Sequence, residues 1–250
     1  MPKNKQFWQF QNKAEGIGQL DLYGDISSYS WFGDEVTPNK FKLDLDALGD
    51  ISTLNVYINS SGGDVFAGQA IHSMLKRHKA TVNVYIDGLA ASIASVIAMA
   101  GDKVIMPSNA MMMIHKPWTG LWGNSTDFRK MADDLDKIQE SIEETYLSRI
   151  EMKTDDLRNM LEAETWLTAQ ECVDHGFADE IEQEKQVAAS LKGGILMLNG
   201  LEMDLSKYAN APKFVAVEPR EPDPEPRLDT ELMSLYNLKS KHLERMINQC

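Results

Sequence analysis

Between Gln19 and about Glu184 the spacing of apolar positions switches repeatedly between period two and period 3.6. QLDLYGDIS (19–27) and LNVYINS (54–60) alternate apolar and polar residues, the pattern of half-buried strands. DVFAGQAIHSMLKRH (64–78) opens on Asp64 as N-cap and sets Ala67, Ala70, Ile71, Met74 and Leu75 on one helical face. TVNVYID (81–87) is a β-branched strand. GLAASIASVIAMAG (88–101), the most apolar stretch of small residues, supplies a helix from Ser92 onward. KVIMPSN (103–109) and MMMIHK (111–116) read as two more strands. Over 124–151, Phe128, Met131, Leu135, Ile138, Ile142 and Tyr146 recur every three or four residues, so a long amphipathic helix is predicted. Its apolar face can cover the sheet or meet another subunit. A shorter helix over 154–163 leads to the strand WLT, a Thr168–Glu171 capping box and a left-handed stop at Gly176. This strand–helix alternation predicts an α/β fold with a largely parallel sheet.

Beyond residue 184 the pattern changes, so the chain divides into a main domain over 1–184 and two further stretches. Residues 185–217 are short-patterned and glycine-punctuated, as a small hairpin extension would be. Five of the nine prolines fall between Pro212 and Pro226, and four of these give residues 218–250 a stiff proline-rich linker. A terminal amphipathic helix follows, with Leu232, Leu235, Tyr236, Leu243, Met246 and Ile247 on one face.

A formal charge of −13 argues against a nucleic-acid partner, which needs clustered cations. Two cysteines, Cys172 and Cys250, make neither a disulfide framework nor a metal cluster, so no metal or other cofactor is expected and a reducing cytoplasm suits the chain. MPKNKQFWQFQNK has no apolar core of a secretory signal, and the apolar run near 89–100 is too short to span a bilayer, so no membrane association is expected.

Four polar features ask for a chemical account. INSSGGD (58–64) ends a strand in Gly62–Gly63, either a tight connection or a source of a backbone N–H for an oxyanion. Ser92, at the mouth of an apolar helix, is a cap, a small core residue or a nucleophile beside the Ile93 N–H. His115 closes an apolar strand, whereas His72, His78, His175 and His242 read as surface residues. Glu162 and Glu164 precede WLT, where a carboxylate can orient an imidazole. Together these are the parts of acyl transfer to water, but spacing alone does not establish that they converge.

At these residues the chain resembles the Clp protease proteolytic subunit (ClpP) family of serine peptidases, and more narrowly the ClpP-related head-maturation (prohead) proteases of tailed phages and prophages. The resemblance is carried by YINSSGGDVFAG (57–68), GLAASIASVIAMAG (88–101), MMIHKPWTGLWGNSTD (112–127) and ETWLTAQECVDHGFADEI (164–181), in the family's order and roughly its spacing. It implies a crotonase-like spiral of ββα units, with a handle formed by PWTGLWGNST and the helix 124–151. It also implies Ser92 as nucleophile, His115 as general base, and the Gly63 and Ile93 N–H groups as oxyanion hole. An extended peptide would pair as a strand beside Gly62, Asp64, Trp118, Thr119 and Gly120. Glu164 matches the family's catalytic aspartate. Its extra methylene demands that the backbone retreat by about 1.5 Å, and Glu162, Asp155 and Asp156 are the alternatives.

The resemblance further implies a homo-oligomer, a heptameric ring or double-ring tetradecamer, acting on protein or peptide substrates such as capsid or scaffold protein in the host cytoplasm. The short stretch ahead of the first strand speaks against dependence on an ATPase partner. The nearly 70 residues after ADEI are suited to a targeting element, an autocleaved propeptide or a lid. Competing readings are an ATPase-gated degradative subunit, a catalytically silent assembly scaffold and a crotonase-fold acyl-CoA enzyme; the last lacks the Ser–His pair.

Overall fold

The structure, a computed structural model, describes residues 6–27, 38–183, 189–192, 195–198 and 201–211. The chain opens with an antiparallel pair, β1 (Trp8–Ala14) and β2 (Ile17–Tyr23). β1 and the following helix α1 (Pro38–Asp46) are additions to the expected elements, and a strand therefore precedes the one expected at Gln19. Both are mostly solvent-facing and bury few residues: Trp8 in β1, Phe41 and Leu45 in α1. Trp8 and Phe10 pack edge-on against Phe41, at centroid distances of 5.5 and 5.1 Å, which fastens α1 to the sheet.

β3 (Thr53–Ser60), α2 (Val65–Lys76) and β4 (Thr81–Ala91) continue the chain. β2, β3 and β4 are parallel neighbours, and the strict alternation seen in the sequence fixes their faces. Leu54, Val56 and Ile58 of β3 and Val84 and Ile86 of β4 are fully buried on one side. On the other side Asn83 donates to Asn55 across the strands and Tyr85 stacks on Tyr57 at 4.9 Å. Asp64 caps α2, its carboxylate accepting the Ala67 N–H, as the sequence predicts.

After α3 (Ile93–Ala98) come β5 (Lys103–Pro107), β6 (Met111–Ile114), α4 (Ser125–Leu147), α5 (Thr154–Glu162), β7 (Thr165–Thr168), α6 (Ala169–Asp174) and β8 (Glu180–Glu182). The main sheet runs β1-β2-β3-β4-β5-β8, and β4 forks: Asn83–Tyr85 pair with β5, while Leu89–Ala91 pair with β6. β7 adds antiparallel to β6. The mixed α/β sheet and its helices agree with the expected fold class. The capping box at Thr168–Glu171 and the left-handed Gly176 (φ 81°) end and start elements where the sequence places them.

α4 is anchored at its C-terminal end. Ile142 and Tyr146 are buried, and the buried Glu143 carboxylate accepts two bonds from Arg158 of α5 and one from Gln139. Its first turns leave Phe128 half exposed, and the preceding Trp118 and Trp122 are exposed too. No helix among the described residues is long and apolar enough to cross a membrane.

The extension is a three-stranded antiparallel sheet, β9 (Ala189–Lys192), β10 (Ile195–Leu198) and β11 (Leu201–Asp204), ending in a short 3-10 turn, Leu205–Lys207. It forms a second apolar cluster in which Leu196, Leu198, Met203, Leu205 and Tyr208 cover Leu89, Ala91 and Met113 of β4 and β6. The proline-rich linker and terminal helix expected over 218–250 lie outside the described residues.

Candidate active site

The fork of β4 delivers Ser92. Ala91 pairs with Met113 of β6, and the Ser92 N–H then donates to the Met113 carbonyl at 2.8 Å. Ser92 adopts φ 55°, ψ −130° and makes no side-chain bond to α3. A capping serine has an extended backbone and offers its oxygen to an N–H of the first turn. Ser92 does neither, so the capping reading is excluded. Such a conformation costs a non-glycine residue roughly 1–3 kcal/mol and must be held by its surroundings. Two hydroxyls do this from beneath. Ser95 Oγ donates to the Ser92 carbonyl at 2.5 Å, and the Tyr146 hydroxyl, 2.7 Å from Ser95 Oγ, supplies the complementary proton.

The Ser92 hydroxyl is 2.8 Å from His115 Nε2. His115 directly follows β6, so the β4–β6 register sets this spacing. Burial pushes the imidazole below its ordinary value, and the negative charge of Glu164 opposes that shift. The balance keeps His115 neutral and able to accept a proton near pH 7. Cys172, the one described cysteine, is fully buried and its thiol is pushed up to about 12, which removes it as a competing nucleophile.

Gly62 and Gly63 belong to this site by shape. Both have positive φ, 93° and 146°. A Cβ on Gly62 would lie 2.6 Å from Ser92 Cβ and 2.8 Å from the Ala91 carbonyl oxygen, and one on Gly63 would overlap the Ile26 carbonyl. Their absence of side chains lets the turn lie against the serine. Among the described residues neither the Gly63 N–H nor the Ile93 N–H has an acceptor, as an oxyanion hole requires.

Glu164 sits at the left-handed entrance to β7 (φ 49°), where its charge reaches His115 without a hydrogen bond between them. Its carboxylate instead accepts the Ala209 N–H at 2.9 Å and the Asn210 N–H at 2.7 Å, with Trp166 Nε1 at 3.4 Å. The alternatives are engaged elsewhere. Glu162 pairs with Lys116, and Asp155 and Asp156 lie exposed in the first turn of α5.

The other expected contact residues are less uniform. Asp64 is occupied as the α2 cap, its N–H donating to Ile26 and its carbonyl accepting from Gly68. Trp118, Thr119 and Gly120 form an exposed segment with no regular structure. His72 corrects the expectation of a surface residue in part: it is half-buried, and its Nε2 is buried with no hydrogen-bond partner among the described residues. Sequence reasoning missed Tyr208, which packs edge-on against His115 at 5.9 Å and donates to the Ser61 carbonyl at 2.5 Å.

A hydroxyl released from capping and set against a neutral imidazole, beside two amides with no acceptor among the described residues, suits acyl transfer. The class is that of serine-type hydrolases. Comparison with known proteins narrows it. The Clp protease family matches residues 39–185, and an ATP-dependent Clp protease proteolytic subunit of Ligilactobacillus salivarius (strain UCC118) is 35% identical over 147 residues, 58% of this chain and 74% of that protein. The chain belongs to the Clp protease family and is a serine-type peptidase.

Proposed function

We propose that the protein is a serine endopeptidase in which Ser92 is the nucleophile, His115 the general base and Glu164 the carboxylate that stabilises the imidazolium. His115 Nε2 takes the Ser92 hydroxyl proton as Oγ bonds to the scissile carbonyl carbon. The carbonyl oxygen becomes an oxyanion received by the Gly63 and Ile93 N–H groups. Collapse breaks the C–N bond, and His115 returns its proton to the leaving amine. Water then hydrolyses the acyl-enzyme by the same path, restoring Ser92. The observation that carries this reading is the 2.8 Å contact between Ser92 Oγ and His115 Nε2, made by a serine that caps nothing.

The partner is a further copy of the same chain, in the ring typical of the family. The exposed Trp118, Trp122 and Phe128 at the start of α4 are an apolar surface suited to such contact. The role we assign is processing of capsid or scaffold protein during phage head maturation in the bacterial cytoplasm. It rests on the resemblance of the four motif blocks to the head-maturation proteases. The second reading, an ATPase-gated degradative subunit, is favoured by the description of the Ligilactobacillus relative as ATP-dependent.

Ser92→Ala should abolish labelling by a fluorophosphonate, peptide hydrolysis and any self-cleavage seen by mass spectrometry, with the oligomer unchanged. Persistent hydrolysis in that variant refutes the assignment. Labelling of the unmodified protein at Ser92 excludes a silent scaffold. Proteolysis that rises with ATP and an unfoldase selects the degradative role, and cleavage of a co-expressed scaffold protein without either selects maturation.

A further inference from the structure

The extension reaches the candidate site through three consecutive residues, Tyr208, Ala209 and Asn210. Asp204 launches them: its carboxylate accepts the Ser206 N–H and hydroxyl, at 2.9 and 2.6 Å, and fixes the 3-10 turn. Tyr208 then enters between two rings, 5.9 Å from His115 and 5.6 Å from Trp166, both edge-on. Its hydroxyl is anchored on the Ser61 carbonyl, one residue ahead of Gly62–Gly63. The next two N–H groups fall on the two oxygens of Glu164, and the Asn210 side chain donates to the Ala163 carbonyl at 2.8 Å. One tripeptide thus touches the base, the carboxylate and the turn bearing the Gly63 N–H. The Ser92–His115 contact is intact with the segment in place, and the Gly63 and Ile93 N–H groups have no acceptor among the described residues.

We propose that Tyr208, Ala209 and Asn210 are positioning residues of the peptidase site: the Ala209 and Asn210 amides hold the Glu164 carboxylate and the Tyr208 ring walls His115, so that proton transfer by His115 depends on a segment outside the family match. The proposal rests on the peptidase reading for its kinetic arm only. A half-buried glutamate facing an imidazole can still rotate toward water; two amides in succession fix both of the Glu164 oxygens. The phenol stays protonated, because burial first, and then the charges of Asp25 and Glu164, raise it above its ordinary range. The charged and titratable groups around His115 are then Glu164, the phenol of Tyr208, and Lys116, which Glu162 neutralises.

The test uses the full chain carrying Tyr208→Ala, and separately Ala209→Pro. Tyr208 already has the extended backbone (φ −108°, ψ 133°) that a residue before proline requires, so the second variant deletes one N–H without straining the residue ahead of it. Circular dichroism and size-exclusion chromatography establish that each variant keeps the fold and oligomer. Against a peptide substrate, kcat should fall about ten- to a hundredfold, part of the 10²–10⁴ that a positioned general base supplies, with KM little changed. The acid limb of kcat/KM should move to higher pH in Tyr208→Ala, as water reaches the imidazole. A structural role alone would not move that limb.

Titration of the His115 ring by NMR gives an arm independent of turnover. His115 should titrate below the ordinary histidine value in the unmodified chain and nearer to it in Tyr208→Ala. Unchanged titration and kcat in both variants overturn the proposal, and so does a rise in kcat, which would make the segment an inhibitory cap. An unmodified chain with no hydrolysis but the expected NMR shift would sink the peptidase reading and leave the positioning intact.

Discussion

Ser95 and Tyr146 offer a quantitative test of how the elbow at Ser92 is held. Ser95 has one proton, committed to the Ser92 carbonyl at 2.5 Å, so the Tyr146 hydroxyl must donate to Ser95 Oγ. Both side chains are buried, at 0% and 1% exposure, and water cannot replace either partner. Tyr146→Phe removes one donor and leaves the Ser95–Ser92 bond, a loss of about 1 kcal/mol. Ser95→Ala strands the Tyr146 hydroxyl without an acceptor and weakens the grip on Ser92, about 2 kcal/mol. The double variant strands nothing buried except part of the Ser92 carbonyl's capacity, which keeps the Ser95 N–H at 3.0 Å.

The double variant should therefore cost about 1.5 kcal/mol, against about 3 kcal/mol for the sum of the singles, a coupling of about 1.5 kcal/mol. Thermal unfolding at a fixed protomer concentration reads this out, at about 2–4 °C per kcal/mol for a chain of this size. Turnover should fall with Ser95→Ala and be nearly spared by Tyr146→Phe. Additivity within about 0.5 kcal/mol, or equal loss of turnover in the two singles, refutes the argued hydrogen-bond direction.

Gly62→Ala would force a Cβ against Ser92 Cβ at 2.6 Å on a backbone with φ 93°, so labelling of Ser92 by a fluorophosphonate should slow at least about a hundredfold, the usual result of displacing a reacting group by about 1 Å. His72 is held well down, at about 4, by burial and then by the charge of Lys76. Below the ordinary value near 6.5 the unfolded chain takes up a proton that the folded chain refuses, so stability is constant above about pH 6.5 and falls as pH drops toward about 4. His72→Leu should flatten that dependence in melting temperatures measured across this window. Arg158→Ala removes the guanidinium from the buried Glu143 carboxylate and should cost about 2 kcal/mol in chemical denaturation, whereas Lys130→Ala, which breaks an exposed, solvent-screened pair on the same helix, should leave the denaturation midpoint nearly unchanged.

Much of the main sheet was legible because its strands and helices bury one face each. The Leu54–Val56–Ile58 alternation and the Ile71–Met74–Leu75 stripe leave no alternative assignment. β1 and α1 escaped notice because they bury so little that no period stands out. Of the site, the glycine pair and His115 at the end of a strand were visible as residue types. From the residue pattern alone the role of Ser92 was not, since cap and nucleophile differ by backbone angles that no side-chain pattern encodes; only the family resemblance pointed to the nucleophile. The docking of the extension was hidden for a related reason. Two of its contacts with Glu164 are main-chain amides, which every sequence contains, and Tyr208 carries no periodic signal in SKYAN.

The division of β4 between two neighbours has an evolutionary consequence. The separation of hydroxyl and imidazole depends on a single ladder, Leu89–Ala91 with Met111–Met113, while β5 and β8 form the far limb of the fork. Mutational drift at the exposed positions of that far limb, such as Lys103 and Glu180, can therefore proceed at little risk to the reaction. A lineage could rebuild its outer edge for new assembly contacts and inherit the cutting machinery untouched.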